Sequence, residues 1–359
     1  MALEQGQEAK GGSRLDAAVE RFNAWGHKYL EIARDRLQQL AGLRPAAAPG
    51  SQLGLAVSPQ GLALATAVRV PGGKPRVTRC EFYPVPRQAD AGLTLRNLML
   101  QSGLERFHYR YVLNPDEYQL HLVESPDVPD SELREAVRWR IRDLIDFPVD
   151  EAAIDVFDMP QQAGTGRETG RMMCVVVARN PVIAQKAALI TRSGGELDLI
   201  DITDLVLRNL LALTPEDARG AALLYVDQGY SLVMICSEGA MYLSRRIWIG
   251  QQELSGLEGK EDTDDAFRRT ADALALEMLR SLEYYETHFS RPPVEALYFA
   301  PVAATGPRLH RYLSQAIGVK VQSLDLAALL DSPGPLTPEL QSRCLLALGA
   351  ALRQDRPTL

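Results

Sequence analysis

The stretch LLYVDQGYSLVMICSEGAMYLSRRIWI, residues 223–249, predicts three β-strands joined by two tight turns. The first strand is apolar up to Val226 and stops at Asp227-Gln228-Gly229, and the second stops at Ser237-Glu238-Gly239. Short glycine-containing turns between apolar runs are typical of β-hairpins, so the stretch predicts a β-meander. The acid and the glycine of the first turn leave two interpretations open: a backbone that grips a phosphate, or a plain hairpin.

The same pattern occurs earlier in the chain. Strands are predicted at 53–58, 62–70 and 76–83, with turns at Pro59-Gln60-Gly61 and at Pro71-Gly72-Gly73-Lys74. Two copies at such a long offset do not form a solenoid, whose repeats recur every 20 to 50 residues. They predict two related lobes, each of which opens with a β-meander.

Helices and strands alternate after each meander, which predicts an α/β fold with mixed sheets. The predicted helices cover residues 94–102, 131–145, 181–193, 203–212, 263–288, 307–317 and 337–353. The predicted strands outside the meanders cover residues 109–113, 118–124, 151–159, 172–178, 196–202, 294–299 and 319–322.

Three parts of the chain are expected from these elements. Residues 1–50 form an N-terminal extension with an amphipathic helix, followed by a proline-containing linker. Residues 51–205 form lobe 1, with an insert subdomain at about 85–165. Residues 206–359 form lobe 2, whose C-terminal helix can pack back on lobe 1. The helix of the extension either docks on this protein or an oligomer, or lies on a membrane surface.

Composition excludes several classes of protein. The 359-residue chain has a formal net charge of −7, which argues against general nucleic-acid binding. Its four cysteines are far apart, and its five histidines form no metal-binding pair, so no metal or redox motif is present. No apolar run is long enough to span a bilayer, and no signal core opens the chain. We therefore expect a soluble, cytoplasmic protein.

Together these features resemble the actin, sugar kinase and Hsp70 ATPase superfamily, whose ribonuclease H-like lobes each open with a meander that cradles phosphate. Three motifs are similar to the PilM family of pilus-assembly proteins: ELREAVRWRIRDLIDFPVDEAAID at 132–155, LRSLEYY at 279–285 and CLLALGAALR at 344–353. The opening QLGLAVSPQGLALA at 52–65 resembles MshI, the PilM-like component of mannose-sensitive haemagglutinin (MSHA) pilus systems. The resemblance covers residues 51–355 and implies a two-lobed actin-like ATPase fold.

The nucleotide turns depart from the pattern of that family. The first turn lacks an aspartate, and Pro59 removes an N–H donor. The second turn keeps its acid but inserts Tyr230, and the adenosine turn keeps only its last glycine. The resemblance assigns these residues to a nucleotide site, if one is retained: Ser58, Gln60, Asp227, Gly229, Ser231, Glu277, Arg280 and Gly306.

These departures predict a degenerate site. Asp227 would hold Mg²⁺ if ATP bound, but we expect it to be a hairpin remnant, with no cofactor and no catalytic residue. Glu277 and Arg280 would be the best retained ribose or base contacts. Alternatively, they form an ion pair on a solvated helix face, since they are three residues apart.

The resemblance implies a scaffold beneath the inner membrane. It implies that the chain binds the cytoplasmic N-terminal segment of a PilN-like inner-membrane protein, held as an extended peptide in a groove of lobe 1. An assembly motor ATPase is a further implied partner. Trp139, Ile145 and Phe147 are candidates to line or support the groove, or else are ordinary core residues. The alternatives are an active ATPase whose nucleotide state gates partner binding, and a homo-oligomeric ring or filament.

Overall fold

Two five-stranded sheets with identical strand topology dominate the fold. The computed structural model describes residues 52–85, 91–160, 171–255, 263–301 and 306–354. The predicted extension at 1–50, with its amphipathic helix, lies outside the described residues, and so does most of the adenosine turn, 302–305.

The strands are β1 (Gln52–Ser58), β2 (Gly61–Val68), β3 (Arg76–Pro84), β4 (His108–Leu113), β5 (Tyr118–Glu124), β6 (Ala152–Asp158), β7 (Met172–Arg179), β8 (Glu196–Ile202), β9 (Ala221–Val226), β10 (Ser231–Ser237), β11 (Ala240–Ile247), β12 (Ala296–Phe299) and β13 (Lys320–Ser323). The helices are α1 (Ala91–Ser102), α2 (Asp130–Ile141), α3 (Asn180–Ser193), α4 (Thr203–Leu211), α5 (Gln251–Ser255), α6 (Thr263–Phe289), α7 (Gly306–Ala316), α8 (Leu326–Leu329) and α9 (Pro338–Ala351).

Sheet 1 has the order β3-β2-β1-β4-β8 and sheet 2 the order β11-β10-β9-β12-β13. In each sheet the three meander strands pair antiparallel, and the two further strands run parallel to the first meander strand. The small sheet, β5-β7-β6, is antiparallel. The repeated topology confirms the two-lobed α/β plan expected from the two meanders.

The elements predicted within the described residues are present, with ends within three residues of the prediction, except in α2. This helix was predicted to reach residue 145 but ends at Ile141. The amides of Leu144 and Ile145 both donate to the Ile141 carbonyl oxygen, so the chain tightens into a turn before Pro148. The small sheet also takes in β7, which lies beyond the predicted insert of about 85–165.

Helices α4 and α9 form an apolar layer between the two five-stranded sheets. One buried cluster contains Ala65 of sheet 1, Met234 of sheet 2, Leu210 of α4 and Leu348 of α9. A β-carbon at Gly54 would lie 2.1 Å from the carbonyl oxygen of Ala347, so β1 lies directly on the backbone of α9. The two sheets therefore share one hydrophobic core on this side.

A second core covers the opposite face of sheet 2. Helices α6 and α7 bury Leu274, Met278, Leu282 and Leu313 there. The small sheet has a core of its own, into which α2 turns Leu133, Val137 and Ile141 at helical spacing. None of the helices in the described part of the chain is long and apolar enough to cross a bilayer.

Candidate functional site

The first turn of sheet 1 is closed by its own groups. The Gln60 amide donates to Ser58 Oγ at 3.3 Å, and Ser58 Oγ donates to the Gly61 carbonyl oxygen at 3.3 Å. The Gln60 carbonyl accepts from the Val85 amide. Pro59 has no amide proton to offer. This turn therefore presents few free donors to an anion.

The second turn, in sheet 2, holds its acid in an internal network. Asp227 Oδ1 accepts from the Gln228 amide at 2.7 Å, and Asp227 Oδ2 accepts from the hydroxyls of Tyr230 at 2.8 Å and Tyr225 at 3.3 Å. Burial first, and the Asp227 charge in addition, raises the pKa of Tyr225 far above its usual range. The pKa of Tyr230 is raised as well, chiefly by burial. Both hydroxyls therefore stay protonated and keep donating.

The chain after β11 packs against one side of the second turn, while Gln228 and Gly229 stay exposed. The Gln251 amide donates to the Asp227 carbonyl at 2.7 Å, and Ser231 Oγ donates to the Ile249 carbonyl at 2.6 Å. A β-carbon at Gly250 would lie 2.5 Å from both the Gln228 carbonyl oxygen and the Tyr230 nitrogen. Only a glycine allows this close approach, which occupies the space beside the turn.

These residues do not fit a magnesium-bound triphosphate. Both carboxylate oxygens of Asp227 already accept hydrogen bonds, and the backbone of residues 249–251 lies against the turn. A metal held by both carboxylate oxygens of Asp227 would have to displace the hydroxyls of Tyr225 and Tyr230 from Oδ2. Within the described ranges, no group of three or more histidine, cysteine, aspartate or glutamate side chains could hold a metal ion.

The remaining candidate nucleotide residues belong to helices α6 and α7. Glu277 and Arg280 pair with each other on α6, and Glu277 Oε2 also lies 3.5 Å from Arg245 Nη1 of β11. Gly306 is the buried first residue of α7. The structure thus brings Asp227 and Ser231 together in one turn, and Glu277 with Arg280 on one helix. In the described part of the chain, no hydrogen bond or ion pair joins these groups to Ser58 or Gln60.

A polar cluster between the lobes was not predicted from the sequence. Asp204, in the first turn of α4, accepts hydrogen bonds from the hydroxyls of Tyr118 in β5 and Ser244 in β11. Arg246 of β11 lies over the rings of Tyr118 and Tyr230. The sequence did contain one signal, an acid near the start of an otherwise apolar helix, Asp204-Leu-Val-Leu. It was not sufficient, because the partners of Asp204 are distant in sequence.

A pocket of about 430 Å³ opens beside α2 in the small-sheet region. Its lining includes Trp139 and Phe147, two of the three predicted groove residues. The Trp139 side chain is 68% exposed, whereas Phe147 is buried and forms part of the small-sheet core. The third, Ile145, is not part of the lining and packs against that core. An exposed tryptophan beside a pocket is a feature typical of interaction sites.

Charged groups surround the pocket. Arg142 lies over the Trp139 ring at 6.0 Å, and Arg179 lies over the Phe147 ring at 4.1 Å. Arg138 Nη2 donates to the Val149 carbonyl at 3.0 Å, which ties α2 to the following loop. The acidic side chains of Glu135 and Asp150 complete the rim. The pocket therefore combines an aromatic surface with both signs of charge.

No protein-family model and no curated protein matches this chain. Solved structures do match. A PilM-PilN type IV pilus biogenesis complex shares 19% sequence identity at a TM-score of 0.67, covering 85% of this chain and 98% of that chain. This likeness confirms the predicted fold class, a two-lobed actin-like ATPase fold.

Two further structures match less well. One is a protein of unknown function with an actin-like ATPase fold from Bacteroides thetaiotaomicron, at 7% identity and a TM-score of 0.46, covering 83% of this chain and 96% of that chain. The other is the cytoplasmic domain of EpsL, an inner-membrane component of the Vibrio cholerae type II secretion system. It has 12% identity and a TM-score of 0.43, covering 82% of this chain and 95% of that chain.

Proposed function

We propose that this chain is a cytoplasmic actin-like scaffold of a type IV pilus or a related secretion machine. It binds the cytoplasmic N-terminal segment of a PilN-like inner-membrane protein, and its nucleotide site is degenerate. Through that partner the chain is peripheral to the inner membrane. Among pilus systems we place it with MSHA-like machines, on the resemblance of residues 52–65 to MshI. An assembly motor ATPase is a further partner in this proposal.

The observation that carries the proposal is the pocket beside α2, in a chain whose fold matches a structure of PilM in complex with PilN. Trp139 lies within a motif shared with the PilM family, yet the helix does not bury it. Its 68% exposure leaves a large apolar surface that nothing in the described chain covers. Such a side chain is suited to anchor a residue of a partner.

The pocket fits a short extended segment. Trp139 and Phe147 provide an apolar surface for one anchor side chain. Segments that adjoin a membrane span on its cytoplasmic side are enriched in lysine and arginine. Glu135 and Asp150, at the pocket rim, can pair with such residues. These two carboxylates therefore provide pairing sites for basic residues of the partner, beside Arg138 and Arg142 of the same lining.

The geometry of the second turn favours a scaffold over the alternative, an active ATPase. The ATPase hypothesis needs Asp227 free to hold a metal, and that carboxylate already accepts from Gln228, Tyr225 and Tyr230. Binding of the partner segment is therefore expected to be independent of nucleotide.

Calorimetry tests the proposal with a synthetic peptide of the PilN-like protein's cytoplasmic N-terminus, with and without Mg-ATP. We expect binding in both conditions and no ATP turnover. Trp139→Ala should weaken peptide binding by about 30-fold, the effect of losing about 2 kcal/mol at a hot spot. Trp248→Ala is the matched control, because Trp248 is 72% exposed and lies outside the pocket.

Three outcomes contradict the proposal. If the peptide binds only with Mg-ATP and ATP is hydrolysed, the chain is a gated ATPase. If the two tryptophan variants weaken binding equally, the peptide does not use the pocket. If the peptide does not bind at all, the chain is not a PilN-type scaffold.

A further inference from the structure

We propose that Asp204 clasps the two lobes together through the protein's own side chains, without a ligand. The Asp204 clasp consists of Asp204, Tyr118 and Ser244. Its two hydroxyls come from different sheets. Tyr118 belongs to the small sheet of lobe 1, and Ser244 belongs to β11, the edge strand of sheet 2 in lobe 2. This proposal does not depend on the identity of any partner.

The clasp is placed at the junction of the lobes. Helix α4 follows directly from β8 of sheet 1 and then packs between the two five-stranded sheets. Its first residue, Thr203, is fully buried and donates through Oγ1 to the Leu113 carbonyl at the end of β4, at 2.9 Å. Because Asp204 directly follows Thr203, this bond fixes its position relative to sheet 1. Its carboxylate then accepts a hydrogen bond from Ser244 of lobe 2.

The carboxylate depends on both hydroxyls. Asp204 is 1% exposed, so water does not solvate it. A buried carboxylate is tolerated only when donors or a counter-charge satisfy it. The Tyr118 hydroxyl donates to Oδ2 and the Ser244 hydroxyl donates to Oδ1, so each carboxylate oxygen has a donor from a different lobe. Withdrawing either sheet leaves one oxygen without its donor, which links the position of the small sheet to that of sheet 2.

Arg246 reinforces the clasp from the same face of β11. Its guanidinium carbon lies 6.0 Å from the Tyr118 ring centre and 5.8 Å from that of Tyr230. Tyr230 is in turn bound to Asp227 in the second turn. The positive charge therefore lies within cation–π range of one aromatic ring from each lobe. The C-terminal end of β11 thus contacts both the small sheet, through Tyr118, and the second turn, through Tyr230.

Hydrogen–deuterium exchange measures the clasp directly. In Tyr118→Phe, a change in lobe 1, we expect amides of β11 in lobe 2 to exchange at least about tenfold faster, as when a hydrogen bond to a charged group is lost. In Ser244→Ala, a change in lobe 2, we expect the same acceleration in β5. Tyr312→Phe is the matched control, since Tyr312 donates to Asp272 in the same chemistry but between α7 and α6 within lobe 2.

The reciprocal effect separates a clasp from an ordinary local contact. If each variant accelerates exchange only in its own strand, or if Tyr312→Phe accelerates β5 and β11 equally, the proposal is wrong. Should Tyr118→Phe fail to fold, Ser244→Ala with the readout in β5 decides alone. The double variant provides a second criterion: because both hydroxyls serve one carboxylate, its effect should differ from the sum of the single effects, and strict additivity contradicts the clasp.

Discussion

The carbonyl oxygen of Val206 in α4 lies against the α-carbon of Gly349 in α9, so closely that a β-carbon at residue 349 would stand 2.3 Å from it. Asn209 of α4 strengthens this crossing, because its Nδ2 donates to the Gly349 carbonyl at 3.0 Å. The two helices form the layer between the five-stranded sheets, so the contact between the lobes depends on a glycine inside the CLLALGAALR motif.

Gly349→Ala should destabilise the protein by about 1–3 kcal/mol, because the obstacle is backbone that cannot move aside without shifting a helix. The measurement is urea unfolding at equilibrium. Gly318→Ala is the control: a β-carbon there meets nothing within 4 Å, and we expect a change within about 0.5 kcal/mol. Equal urea midpoints for Gly349→Ala and Gly318→Ala would show that α4 and α9 can shift to accommodate the added methyl group, which contradicts the prediction.

Tyr230→Phe should lower the free energy of unfolding by about 1.5 kcal/mol, the loss of one hydrogen bond to a charged group. The bond removed is the 2.8 Å contact to Asp227 Oδ2. Tyr225→Phe is the matched comparison and should have a smaller effect, since its contact to the same oxygen is 3.3 Å long. A larger loss from Tyr225→Phe would contradict this ranking of the two hydroxyls.

Stability should fall as the pH drops below about 6.5, in part because of His121 in β5. Burial lowers the pKa of His121 from its ordinary 6.5, so the unfolded chain binds the proton more readily than the folded one. The stability that neutral His121 contributes is therefore fully present above pH 6.5. It is lost as the pH falls from 6.5 toward the lowered pKa of His121 in the folded state. Unfolding of wild type and His121→Gln at pH 7.5 and 5.5 measures it. If wild type and His121→Gln lose the same free energy of unfolding between pH 7.5 and 5.5, His121 does not contribute to the pH dependence.

The chain should also lose stability above pH 10, through its buried tyrosines. Burial is the largest cause of the raised pKa of Tyr109, Tyr111, Tyr118, Tyr225 and Tyr230. Below pH 10 both states keep these hydroxyls protonated, whereas above it the unfolded chain ionises first and is favoured. Tyrosinate absorbance should rise in two phases, the second together with unfolding. A single phase near pH 10 in folded protein would contradict the burial of these hydroxyls.

Local pattern was sufficient for the elements and for the two-lobe plan. The continuous apolar run of β10 and the helical spacing in α2 are properties of neighbouring residues, so they can be recognised without the rest of the chain. The exception shows the limit. The end of α2 at Ile141 depends on how the loop before Pro148 packs against the small sheet, and periodicity alone extended the helix to residue 145.

The sequence by itself determined that Asp227 stands in a hairpin turn and that Trp139 lies on a helix. Only the tertiary structure decided that the buried Asp204 carboxylate joins two lobes. The Asp204 partners are 86 and 40 positions away in the chain. Turn and helix formation depend on hydrogen bonds between near neighbours, whereas the satisfaction of a buried charge depends on which distant donors the packing of the core brings to it.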